Sequence, residues 1–200
     1  MTTLFTPHFK RWLAAIALCG FVTGFAACKG ESYDEAPQVC ASAPDGQPVS
    51  PALLAFLSRA RSAHHSADQL EEESPKAAIE KLQALVDGPV PGGNTPLAEA
   101  SEVLADTYAR LADLKSQDGS FENALKDVES GLGHAKQVSY FRGHLFEVRG
   151  LVEERRAKQL EGAGDEVGAK AAKQRALEAF EQSMDIQEKV IEQNLPEQTP

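Results

Sequence analysis

Three cysteines and a handful of histidines are the residues in this chain with distinctive chemistry of their own. Cys19 sits inside an apolar run, Cys28 ends that run, and Cys40 lies in polar chain beyond it. Cys28 and Cys40 are spaced to close a small disulfide loop in an oxidising compartment. Nothing near Cys40 activates it, with no CxxC pair and no flanking histidine. His64 and His65 are adjacent, so on a helix they point about 100° apart and cannot ligate one metal together. They are expected to be solvated. His134 and His144 stand apart, one near a helix end and the other in the start of the next helix, and they suggest no ligand set. "ESGLGHA" has the glycines of a phosphate loop but no strand before it and the wrong spacing. No nucleophile–base pair can be assembled. Catalytic, cofactor and metal residues are expected to be none, and the chain is not expected to be an enzyme.

The elements around Cys28 explain its place. Lys10 and Arg11 precede an apolar stretch from Trp12 to Cys28, and no acid occurs before Glu31. Basic, then apolar, then small residues is the layout of a secretory signal peptide. The stretch is at the short edge of what crosses a bilayer, so an uncleaved anchor stays open as an alternative. Phe25, Ala26 and Ala27 before Cys28 form "FAAC", which resembles the lipobox of bacterial lipoproteins. The resemblance implies cleavage before Cys28, a diacylglyceryl thioether on its sulfur and fatty acylation of its new amino group. The other open route is ordinary signal cleavage after Ala26, which leaves Cys28 free to pair with Cys40. Residues 1–27 are expected to be the signal peptide, and 28–50 the lipidated cysteine with its tether. Lys29 is not the aspartate that retains such proteins at the inner membrane of enteric-type bacteria. By that analogy the expected site is the outer membrane, facing the periplasm.

Removing residues 1–27 takes away Lys10 and Arg11 and no acid. That leaves 18 bases (20 less 2) against 30 acids. So acidic a chain lacks the basic patches nucleic acid demands, and no nucleic-acid partner is expected. "KGESYDEAPQVCASAPDGQPVS" is rich in proline and glycine and poor in large apolar groups, so it is expected to be a disordered tether. Residues 195–200 are expected to fray.

From Pro51 onward, aliphatic residues and alanines recur at helical spacing. Ser50 and Pro51 suit a cap and a first turn. Leu53, Phe56, Leu57, Ala60, Ala67 and Leu70 form the first inward stripe. Ser74-Pro75 opens a second helix, with Ala78, Leu82, Leu85 and Val86 inward. "DGPVPGGNTP" breaks the chain, and Thr95-Pro96 is expected to start a third helix buried through Val103, Leu104, Tyr108, Leu111 and Leu114. After "QDGS", Ser120 caps a fourth helix with Phe121, Ala124, Leu125, Val128 and Leu132 inward. A fifth, from about Ser139 to Glu161, buries Phe141, Leu145, Val148 and Leu151 or Val152. The sixth runs from about Glu166 to Asn194, with Val167, Ala172, Ala176, Leu177, Phe180, Met184 and Val190 or Ile191 inward. The predicted fold is all-α, with six helices in three pairs over residues 51–194.

"YARLADLKSQDGSFENALKDVESGLGHAK" resembles the tetratricopeptide repeat (TPR), a helix–turn–helix unit of about 34 residues. Tyr108 takes the large aromatic position, Leu111 and Ala112 the Leu-Gly pair, Ala124 the small residue of the second helix, and Val128 and Gly131 the next two. The pattern departs at Lys115, where tyrosine is usual, and at Lys136, where a closing proline is usual. Gly131 also costs about 1 kcal/mol of helix propensity. "RALEAFEQSM" repeats the second-helix pattern, with Ala176 answering Ala124 and Gly150 answering Ala112. The resemblance implies three antiparallel helix hairpins stacked as a short TPR-like solenoid, the third elongated.

It also implies a protein-binding scaffold in the cell envelope, held to the membrane by the lipid on Cys28. The partner is an unidentified envelope protein, and the oligomeric state is undetermined. TPR proteins often bind a C-terminal carboxylate through their first helices. Here that stretch offers Ala109, Arg110, Asp113, Ser116 and Gln117, and Asp113 repels a carboxylate. The aromatics Tyr140, Phe141 and Phe146 are the candidate partner-binding residues. Two alternatives stay open: a pilot or assembly-factor lipoprotein for an outer-membrane complex, and a small-ligand or metal-binding helical lipoprotein.

Overall fold

A computed structural model describes residues 50–195; the expected signal peptide, Cys28, Cys40 and most of the expected tether, and residues 196–200, lie outside the described residues. The described chain is all-α. Its helices are α1 (Pro51–Leu70), α2 (Pro75–Val86), α3 (Ala98–Gln117), α4 (Phe121–His134), α5 (Tyr140–Gly162) and α6 (Glu166–Asn194). None of them is long and apolar enough to cross a membrane.

Prolines begin α1 and α2, where a missing N–H costs nothing. Ser50, Ser74 and Ser120 stand at N-cap positions, but none of the three side chains makes a capping hydrogen bond. Ser139 and Asp165 do cap: each accepts from a backbone N–H three residues on, at 3.3 and 2.8 Å. The third helix starts at Ala98, two residues after the expected Pro96. Turn bonds from Gly93 N to Val90 O and from Leu97 N to Pro91 O hold the chain extended through Leu97.

The turns after α3 and α5 share one geometry. Gly119 and Gly164 take φ of +77° and +78°, the left-handed region that favours glycine. Ser120 N bonds to Lys115 O and Asp165 N to Leu160 O, closing the same six-residue loop at each helix end. Each turn feeds at once into the N-cap of the following helix, sending it back along its predecessor.

Helices pack in sequence order, α1 on α2, α3 on α4 and α5 on α6. The odd-numbered helices also touch one another, α1 with α3 and α3 with α5, and so form a row. Beyond their own pairs, α2 also reaches α3 and α4 reaches α5, while α6 packs on α5 alone. α3 is therefore enclosed on several sides, and it buries Ala100, Ala105, Ala109 and Ala112 as well as its leucines. Small residues there let neighbouring backbones approach. The expected inward residues of α1 to α4 are all buried or half-buried.

The sixth helix departs from expectation. Its buried residues are Ala169, Ala172, Ala176, Ala179 and Ser183, an alanine stripe against which α5 sets Gly143 and Gly150. A Cβ on Gly150 would stand 2.6–2.7 Å from ring atoms of Phe180, so the half-buried Phe180 ring fills the space that a side chain at 150 would need. Ala172 and Ala176 are buried and Phe180 half-buried as expected, and of Val190 or Ile191 it is Val190 that is half-buried; Val167, Leu177 and Met184, expected inward, are exposed instead.

Candidate functional site

The row of α1, α3 and α5 carries a groove of about 490 Å³. Each helix presents one face to it. His64 and Asp68 come from α1; Asp106, Ala109, Arg110 and Asp113 from α3; His144, Val148, Leu151 and Arg155 from α5. Within each helix those positions step by three or four, apart from the neighbours Ala109 and Arg110, which is the spacing of a single face.

Arginines tie the row together. Arg110 on α3 reaches back to α1, donating to Asp68 at 3.2 Å and also to Glu71. Arg155 on α5 reaches back to α3 in the same way, donating to Asp113 Oδ1 at 2.7 Å and Ser116 Oγ at 2.6 Å. Asp113 therefore faces a guanidinium within the protein and does not stand unpaired before a ligand. His64 Nε2 lies 2.9 Å from Thr107 Oγ1. The Thr107 hydroxyl proton is spent on Val103 O at 2.7 Å, so the imidazole N–H must sit on Nε2. Nδ1 then faces Asp106 Oδ2 at 4.0 Å. His64 is thus half-buried and bonded, not solvated as expected, while its neighbour His65 is exposed.

These bridges recur at a fixed interval. Asp68 and Asp113, Arg110 and Arg155, and the turn glycines Gly119 and Gly164 are each 45 positions apart. The buried Ala67, Ala112 and Ala157 follow the same step. By this register Ala157 answers Ala112, and Ala169 answers Ala124, in place of the expected Gly150 and Ala176. The extra length of the third pair therefore lies away from its turn. A recurrence of Asp and Arg at this interval is legible in the sequence, and it was the signal for the groove.

Lys115 has its own explanation. Its ammonium lies 2.6 Å from Asp127 Oδ2 on α4, with both side chains largely buried, and 3.1 Å from Gln83 Oε1 on α2. Burial pushes the Asp127 carboxyl above its ordinary pKa, and Lys115 opposes the shift. Burial likewise raises the Tyr108 phenol, helped by Asp127 and Asp87. It lowers His134, helped by Lys136. His134 stacks on the Tyr108 ring at 5.7 Å.

The aromatics at the start of α5 do not form one surface. Phe146 is only 6% exposed and belongs to the core, with the Arg142 guanidinium 5.3 Å from its ring centre. It cannot meet a partner. Phe141 is half-buried against the core that joins α3, α4 and α5. Tyr140 alone stands out at 60% exposed, stacked on His144 at the edge of the groove. Cys28 lies outside the described residues. No family model matches the chain, and no curated protein or solved structure matches it.

Proposed function

We propose that this chain is a membrane-anchored TPR-like lipoprotein and that it works by binding a segment of another envelope protein. In this reading the three helix pairs are hairpins stacked as a short solenoid, with the odd-numbered helices on its binding face. Residues 1–27 are removed, Cys28 carries the lipid, and the tether holds the groove off the outer membrane on its periplasmic side.

One observation carries the reading: the groove crosses all three odd-numbered helices and takes one face of each. A continuous channel across successive helices suits an extended peptide better than a compact metabolite. Its charge favours a basic segment. Asp68, Asp106 and Asp113 line it against Arg110 and Arg155, and among the described residues Asp106 is bridged by no arginine or lysine, with only His64 near it at 4.0 Å.

The test uses the full chain, solubilised from its membrane, and extended peptides of matched length bearing either lysine and arginine or glutamate. Basic peptides bind, and the Asp68→Ala, Asp106→Ala double variant loses at least about tenfold in affinity, 1.4 kcal/mol, with its melting temperature unchanged. Equal binding by acidic peptides, or undiminished binding by the double variant, refutes the reading.

A further inference from the structure

Among the described residues, α5 is the one helix packed on α6. The other side of α6 is open, yet it carries large apolar side chains: Leu177, Met184 and Ile191 are 57%, 62% and 59% exposed, and Leu195 follows at 63%. The first three recur every seven residues. On a straight helix that interval drifts by about 20° per repeat, and a second helix winding around the first takes up the drift. The pattern suits a helical occupant.

The charges on the same face say which helix. Lys170 and Lys173 precede Leu177, while Glu188 and Glu192 follow Met184, and all four are exposed. Apart from Glu166 at its very start, one end of the face is basic and the other acidic. Two parallel copies would set like charge against like. In an antiparallel pair centred between positions 180 and 181, Lys173 faces the copy's Glu188, and Lys170 lies one position off its Glu192. Leu177 then faces Met184. Each contact occurs twice, as a two-fold interface requires. Lys173 also pairs with Glu161, but both side chains are half in water, where such pairs contribute little. Glu181, beside the axis, comes close to its own copy.

We propose that a second copy of this chain covers the open face of α6, the two α6 helices running antiparallel about a two-fold axis beside Glu181. The contact uses neither the groove nor Cys28, so it stands or falls apart from the proposed function.

The experiment introduces a thiol beside the axis, Glu181→Cys, in the full chain carrying Cys40→Ser, and adds an oxidant to intact cells. A disulfide-linked dimer is expected. Gln182→Cys, exposed but turned away from this face, should give at most about one tenth of that yield, since successive helix positions point about 100° apart. Adding Lys173→Glu to Glu181→Cys lowers the dimer several-fold, and adding Glu188→Lys as well restores it. That rescue cannot come from a merely structural change at Lys173. The proposal is overturned if Glu181→Cys gives no more dimer than Gln182→Cys, if the second charge change fails to rescue, or if the adduct joins a different protein.

Discussion

Two glycines in α4, two residues apart, should respond to alanine with opposite signs. A glycine-to-alanine change inside a helix gains up to about 1 kcal/mol from backbone entropy and solvent shielding. At Gly133 a new Cβ meets nothing within 4 Å. The gain survives there, cut to about 0.5 kcal/mol because the helix ends one residue later. At Gly131 the new Cβ lies 2.5 and 3.1 Å from the two Leu145 methyl carbons and 3.2 Å from Tyr108 Cβ. Leu145 is wholly buried and has no room to swing away, and Tyr108 Cβ is fixed to the α3 backbone. Overpacking of this kind costs about 1–3 kcal/mol, so the net change is a loss of about 1 kcal/mol. With about 2–4 °C per kcal/mol for a chain of this length, thermal melts should show Gly131→Ala lower by a few degrees and Gly133→Ala slightly higher. If Gly131→Ala raises the melting temperature as Gly133→Ala does, α3, α4 and α5 do not converge there and the packing argument fails.

Other expectations follow from single contacts. Lys115→Met strands the buried Asp127 carboxylate and should cost about 3 kcal/mol, while adding Asp127→Leu should recover most of it; denaturant melts of the two variants, equally destabilised, would contradict the pair. Because Asp127 titrates above its unfolded value, the stability it contributes is complete below the ordinary carboxylate pKa and is lost as pH rises through its folded pKa. Lys115→Met should therefore regain stability on acidification. His134 has the reverse sign: its pKa is lowered, so its contribution is present above the ordinary histidine value and lost as pH falls through the folded pKa. His134→Gln should flatten the melting temperature between neutral and mildly acidic pH, and an unchanged slope would show that some other group carries it. Cys28→Ser should accumulate as uncleaved precursor that takes up no labelled fatty acid; normal processing of the variant would end the lipoprotein reading.

Much of this fold is written in local pattern. The helix starts at Pro51 and Pro75 and the turn at Gly119 follow from residues whose backbone preferences are strong enough to act alone. The inward stripes of α1 to α4 follow from period. Where tertiary context decided, the pattern misled. On α6, Ala172, Ala176 and Phe180 face α5 as the period implies, the Phe180 ring lying over Gly150, but Leu177 and Met184 were left outside. Phe146 gave no sign of whether it faced core or solvent, since burial of α5 depends on α3 and α4 behind it. The groove was half visible. Arg110 and Asp113 stood out in the repeat pattern, but Asp113 as a repeller of carboxylates. Its real partner, Arg155, sits on another helix, and only the adjacency of α3 and α5 joins them.

The binding claim is tested most directly by a photo-crosslinking side chain at Asp106, inside the groove, in the full chain in the cells that make it. The control is the same side chain at Lys126, exposed on α4. The account predicts an adduct with one envelope protein from position 106 and none from 126, and its loss when Asp68→Lys is added. The same adduct from both positions, or an adduct from 106 that persists beside Asp68→Lys, would contradict it.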